Sequence, residues 1–196
     1  MKLYFVTSNK SKYEWARQRL KSANIELEQF KTDLPESRDF RVSDVAINKA
    51  KKAFEILKKP LLVEDRGFYI EALNGFPATF VGLMHKTMGV QGIIKLMENN
   101  KNRKALFISV LAYVNEKGTI KIFEEREKGF IVTKITKGNC RGWGDIMNIY
   151  GHESYPGRAL SELNDKDWKK YQEIISENDY LSKFYEWFIS RINVKD

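Results

Sequence analysis

The chain is nearly without cysteine: Cys140 is the only one in 196 residues. A single thiol cannot close an internal disulfide, so a reducing, cytoplasmic setting is expected. No apolar run approaches the roughly 20 residues that span a bilayer, so no membrane partner is expected. The opening stretch Met1–Asn9 has too short an apolar run for a signal-peptide core. There is no internal repeat and no low-complexity linker. The Gly-x-x-x-x-Gly-Lys spacing of a P-loop is absent, and so is the Gly-x-Gly-x-x-Gly of a dinucleotide fold. No long basic tail is present, so a stable nucleic-acid partner is not expected.

What is present suits one domain, residues 1–196, with a real core. Hydrophobic residues make up 42% and charged residues 31%. The formal net charge is +8, from 34 Lys+Arg against 26 Asp+Glu. That balance favours polyanionic ligands such as nucleotides and phosphates, although a solvated lysine surface has the same composition.

Hydrophobic periodicity predicts a strand over Lys2–Thr7 and an amphipathic helix over Lys10–Ser22. A half-exposed strand is expected over Ile25–Phe30 and a loop over Leu34–Asp39. Ser43 or Asp44 is expected to cap a helix that runs to Leu57. Leu61-Leu62-Val63 predicts a short buried strand leading into a turn at Glu64-Asp65-Arg66-Gly67, with a separate strand over Phe68–Ala72. Asn74-Gly75-Phe76-Pro77 predicts a turn, and Gly89–Glu98 a helix. Three strands are expected at Ala105–Val114, Thr119–Glu125 and Gly129–Ile135, then one or two helices over Asp165–Ile192. The mixture indicates an α/β or α+β domain with a long, partly antiparallel sheet.

Two stretches carry candidate chemistry. The loop Thr7-Ser8-Asn9-Lys10-Ser11-Lys12 joins the first strand to the first helix. Such corners present free backbone N–H groups and the positive end of the helix dipole, which phosphate binds readily. Thr7, Ser8, Asn9, Lys10 and Lys12 add donors, yet the same residues also describe an ordinary helix cap with surface lysines. The pair Glu64-Asp65 follows a buried strand, at the sheet edge where α/β proteins bind ligands. Magnesium takes one or two carboxylates together with substrate phosphates, and Asp44 is a candidate companion to the pair. Lys49 lies five residues beyond Asp44, about 140° around a helix. The two therefore line different sides of any shared cleft.

The order of these motifs resembles the inosine/xanthosine triphosphate pyrophosphatase family, also called Ham1-like. Thr7-Ser8-Asn9-Lys10-Ser11-Lys12 resembles its opening Thr-Gly/Ser-Asn-x-x-Lys loop. Asp44-Val45-Ala46-Ile47-Asn48-Lys49-Ala50 resembles its Glu-Ile-Ala-x-x-Lys-Ala helix, with Asp for Glu. Val63-Glu64-Asp65-Arg66-Gly67-Phe68 is similar to its Val-Glu-Asp-Thr-Gly-Leu segment, and Glu71-Ala72-Leu73-Asn74-Gly75-Phe76-Pro77 to the stretch that follows. The resemblance covers residues 1–144. It implies an elongated ITPase-like (anticodon-binding-like) α/β fold, with two lobes around a long mixed sheet, and a homodimer. It also implies Mg²⁺-dependent hydrolysis of a nucleoside triphosphate to the monophosphate and pyrophosphate. Thr7, Ser8, Asn9 and Lys12 would then hold phosphates. Asp44 and Asp65 would organise metal and water, with Glu64 beside the metal, and Lys49 would neutralise developing charge.

The base-reading half departs from the family pattern. Arg141-Gly142-Trp143-Gly144-Asp145-Ile146 keeps the glycine–aromatic–glycine start but lacks the aromatic before aspartate and the proline after it. Trp143 is a candidate base-stacking residue and Asp145 a candidate base contact. Where the family has Ser-His-Arg, this chain has Lys170-Tyr171-Gln172-Glu173. An altered base choice is therefore expected. Two alternatives stay open: a catalytically degenerate nucleotide-binding protein, and a nucleic-acid-binding protein prompted by the charge.

Overall fold

The structure is a computed structural model and describes residues 2–21, 25–32, 34, 39–141 and 144–192. In chain order it has β1 (Lys2–Val6), α1 (Lys10–Leu20), β2 (Glu26–Phe30), α2 (Val42–Leu57), β3 (Leu61–Ile70) and β4 (Pro77–Ala78). There follow α3 (Val81–Thr87), α4 (Gly89–Leu96), β5 (Lys104–Val114), β6 (Ile120–Ile131), β7 (Tyr150–His152), α5 (Asp165–Ser176) and α6 (Tyr180–Ile192). The strands form one open, mixed seven-stranded sheet of order β2-β1-β3-β5-β6-β7, with β4 paired to β3. This is an α/β fold. β1 runs parallel to both β2 and β3, whereas β4 is antiparallel to β3 and β7 to β6.

By compactness the chain divides into two units. One comprises Met1–Arg66, Ser109–Glu125 and Asn178–Asp196; the other comprises Gly67–Ile108 and Arg126–Glu177.

The first unit holds the parallel strands and α1, α2 and α6. Its core joins Leu3 and Phe5 of β1, Leu27 of β2, Leu62 of β3, Ala16 and Leu20 of α1, and Phe184 and Phe188 of α6. Helix α2 is buried along Val42, Val45, Ala46, Ala50 and Ala53, an i, i+3, i+4 stripe. The chain passes from β1 to β2 on one side and then to β3 on the other. Right-handed crossovers therefore place α1 and α2 on opposite faces of the sheet.

The second unit packs Phe68, Phe107 and Tyr150 ring against ring, at centroid distances of 4.7 to 5.7 Å. Gly129 and Gly151 let β6 and β7 approach closely. A Cβ on Gly129 would lie 2.2 Å from the Gly151 carbonyl oxygen, and one on Gly151 would lie 2.4 Å from that of Arg158. Glu127, buried on β6, accepts a hydrogen bond from the Tyr171 hydroxyl at 2.8 Å.

Several expectations are corrected. Glu64-Asp65-Arg66-Gly67 is not a turn, because β3 runs unbroken from Leu61 to Ile70 and absorbs the separate strand expected after it. Composition suggested a break there, but β3 lies inside the sheet between β1 and β5, and its backbone stays extended. The strand expected at Gly129–Ile135 is the far end of β6. Helix α3 was not foreseen, being only seven residues long. Helix α2 begins after Arg41, which makes no side-chain cap, and Asp44 lies within its first turn.

Candidate functional site

The loop after β1 is held by its own side chains. Asn9 is the N-cap of α1, its Oδ1 accepting the Lys12 N–H at 3.1 Å. Thr7 Oγ1 accepts the Asn9 N–H at 3.1 Å. The Thr7 backbone is fixed to β2, since its N–H donates to Phe30 O at 3.2 Å and its carbonyl accepts Gln29 Nε2 at 2.9 Å. Both side-chain oxygens thus act as acceptors. The Thr7 hydroxyl proton and the Asn9 amide N–H₂ remain available to an incoming anion. Ser8, Lys10 and Ser11 are exposed, and the first-turn N–H groups of α1 have no carbonyl within the helix. The cap reading and the phosphate-cradle reading are therefore compatible: the cap sets the geometry that an anion meets.

Two ion pairs stand beside this loop. Lys12 Nζ lies 2.5 Å from Glu64 Oε2. Lys49 Nζ lies 2.5 Å from Asp65 Oδ2, and Asp65 Oδ1 accepts the Arg66 N–H at 2.9 Å. The strand period decides where each pair lies. Consecutive side chains of β3 point to opposite faces. Glu64 shares parity with Leu62, which packs in the α1–α6 core, and it meets Lys12 of α1. Asp65 has the other parity and meets Lys49 of α2.

Both pairs nevertheless sit at one edge. Tyr4 opposes Leu61 and Phe5 opposes Leu62. Continuing that register past Val6, the last residue of β1, places Glu64 and Asp65 just beyond the strand's carboxyl end. This is the topological switch point, with β1 leading to β2 on one side and β3 lying on the other. Open α/β sheets bind ligands at such a crevice.

Asp44 is not part of either pair: its Oδ2 accepts Arg41 Nε at 2.7 Å at the start of α2. Among the described residues, no three His, Cys, Asp or Glu side chains converge as a metal-holding group. Glu64 Oε2 is buried and makes no hydrogen bond; its contact with Lys12 is an ion pair without hydrogen-bond geometry. A hard, buried, anionic oxygen with unused acceptor capacity fits a magnesium ion. That ion needs only one or two carboxylates when phosphates and waters complete its shell.

In the second unit, Trp143 lies outside the described residues. Asp145 opens a single 3-10 turn, Asp145–Asn148, and its Oδ1 stands 3.0 Å from His85 Nδ1 of α3. Sequence reasoning missed His85, although it is one of only two histidines in the chain. The other, His152, is buried on β7, and burial pushes its imidazole below the usual value. Tyr171, which falls where the family pattern has Ser-His-Arg, is a fully buried core residue bonded to Glu127. Gln29, which anchors the loop, was also missed; it carries no signal beyond its place on β2.

The Ham1 family's sequence model matches residues 3–172. The chain belongs to the Ham1 family. Two curated relatives match along nearly their whole length. A dITP/XTP pyrophosphatase of Methanopyrus kandleri is 34% identical over 98% of this chain and 98% of its own. One of Thermococcus kodakarensis is 40% identical over 87% of this chain and 98% of its own. Among solved structures, a HAM1 protein from Coxiella burnetii superposes over the whole of both chains, with a TM-score of 0.77 at 20% identity. A nucleoside-triphosphatase / dITP/XTP pyrophosphatase from Mycobacterium abscessus gives 0.75 at 20% identity, over 88% of this chain and 93% of its own. At that identity the structures establish the shared Ham1 fold.

Proposed function

We propose that this Ham1-family chain is a pyrophosphohydrolase of non-canonical purine nucleoside triphosphates, breaking the α–β phosphoanhydride with water to give a nucleoside monophosphate and pyrophosphate. The full-length relatives named dITP/XTP pyrophosphatases support this reading. The observation that carries it is the pairing of Lys12 with Glu64 and Lys49 with Asp65 at the switch point, beside a capped, cation-rich loop.

In this reading Thr7, Ser8, Asn9 and Lys12 hold the phosphates, by donor hydrogens and charge. Lys49 offsets negative charge that grows on the phosphates as the bond breaks. Asp65 is held on both oxygens, by Lys49 and by the Arg66 N–H, so it is oriented before substrate arrives. It positions the attacking water. Glu64 carries the buried oxygen that would hold Mg²⁺ together with phosphates and water. Asp65 turns to the other face of β3 and Asp44 is bonded to Arg41, so the three expected carboxylates do not converge among the described residues. When bound, that ion supplies Lewis-acid neutralisation of phosphate charge. Trp143 and Asp145 are assigned to the base. An altered base choice belongs to this reading, because Lys170-Tyr171-Gln172-Glu173 stands where the family pattern has Ser-His-Arg. A homodimer belongs to the same reading by family resemblance, and a cytoplasmic location by the single cysteine.

The test is pyrophosphate release from dITP, XTP, ITP and the canonical triphosphates, with Mg²⁺ and with EDTA. Release from the non-canonical purines, lost in EDTA, is expected. No turnover across the panel would refute the enzyme and leave a nucleotide binder. That second reading has its own support, since each carboxylate of the β3 pair is already neutralised by a lysine.

A further inference from the structure

The Lys12–Glu64 pair joins two groups with unlike surroundings. The Lys12 side chain is 40% exposed and that of Glu64 only 3%. Lys12 therefore faces the medium from which a polyphosphate arrives, while Glu64 is sealed beneath it. Glu64 Oε2 has no hydrogen bond among the described residues, and the cation paired with it is the ammonium 2.5 Å away. Tyr180 of α6 is also near Glu64. Burial, then Glu64 itself, pushes its phenol well above the usual range, and the positive charge of Arg66, two residues along β3 on the same face, opposes that shift.

We propose that Lys12 and a divalent cation compete for Glu64, so that polyphosphate binding and cation binding are coupled through this one ion pair. A polyphosphate that draws Lys12 away takes from a buried carboxylate the cation paired with it, which is costly. A divalent cation on Glu64 removes that cost. In the other direction, a cation that takes Glu64 releases the ammonium to the phosphate. Each ligand strengthens the other by the same factor, as linkage requires. The proposal rests on reading the loop as a phosphate cradle, and its test involves no turnover.

The experiment is calorimetric titration of the full chain with Mn²⁺ alone, and separately with inorganic tripolyphosphate in EDTA. Lys12→Met should bind Mn²⁺ about tenfold tighter than the wild type, because no ammonium has to be displaced. Glu64→Gln should bind metal-free tripolyphosphate about tenfold tighter, because Lys12 starts unpaired. The double variant should lose the Mn²⁺ gain. Gains of affinity do not arise from misfolding, so both single variants remain informative. Mn²⁺ binding by Lys12→Met that is no tighter than wild type overturns the proposal. So does tripolyphosphate binding by Glu64→Gln that is no tighter, or a Mn²⁺ gain that survives in the double variant. Both gains together with no turnover of any nucleotide would support the coupling and refute the pyrophosphatase reading.

Discussion

In the first unit, Lys12 and Lys49 reach from two helices onto consecutive carboxylates of β3. In the second unit, arginines bond backbone carbonyls, although Arg141 also pairs with Asp165 and Arg158 with Asp167. Arg103 donates from Nε to Ile131 O at 2.7 Å, from Nη1 to Met97 O at 2.8 Å, and from Nη2 to Val132 O. Arg141 donates to Leu163 O at 2.7 Å and Arg158 to Glu162 O at 3.0 Å. A forked guanidinium on fixed carbonyls is a staple, since nothing small replaces it. An ammonium on a carboxylate is a point charge that phosphate or metal exchanges. The same excess of positive charge thus does two jobs, and in the proposed reading the first unit's lysines are the share that meets phosphate. His85–Asp145 is one of the second unit's side-chain pairs, beside Lys104–Glu71, Arg141–Asp165 and Arg158–Asp167.

The comparison breaks most sharply at Asp65. Asp65→Asn keeps shape and the Arg66 contact but removes the charge. It should lower kcat/KM for pyrophosphate release by about a thousandfold. A variant within tenfold of wild type would deny Asp65 its role. Next is a staple. Arg103→Met strands buried carbonyls and should cost about 3 kcal/mol in urea unfolding, with KM of the folded protein unchanged. A KM effect there would erase the division between the units.

Asp145→Asn should be smaller. It should shift the ratio of kcat/KM between XTP and dITP by about threefold while pyrophosphate release persists. An unaltered preference would remove Asp145 from the base contacts. Smallest is a pH effect. Burial, opposed in part by Glu127 and Glu153, holds His152 below its usual 6.5 in the folded chain. Below that pH the unfolded chain takes up a proton that the folded chain resists. Stability is therefore full above 6.5 and falls as pH drops toward the folded value. His152→Gln should flatten the urea midpoint against pH in that acid window. Identical slopes in both proteins would show that another group is responsible.

Much of the first unit was legible because it depends on neighbours in sequence. The apolar run before Thr7, the cap at Asn9 and the Glu64-Asp65 doublet are all local patterns, and each stands where strand and helix periods put it. Glu64-Asp65-Arg66-Gly67 reads as a turn in sequence because composition says nothing of the strands that flank it in the sheet. His85–Asp145 joins residues 60 positions apart, and Arg103 bonds carbonyls nearly 30 positions on. No local pattern announces such contacts. Tyr171 lies in the stretch that departs from the family pattern, and it is core, because Glu127 gives its hydroxyl a buried partner.

The sequence by itself determined the class of the fold, the phosphate-type loop and the identity of the charged residues. Alternation of apolar residues, helix capping and motif order are short-range properties, and they survive without a structure. Tertiary structure alone decided which lysine meets which carboxylate. The two-residue period of β3 turns adjacent Glu64 and Asp65 to opposite faces, and right-handed crossovers put α1 on one face and α2 on the other. Only the assembled sheet brings Lys12 to the first and Lys49 to the second.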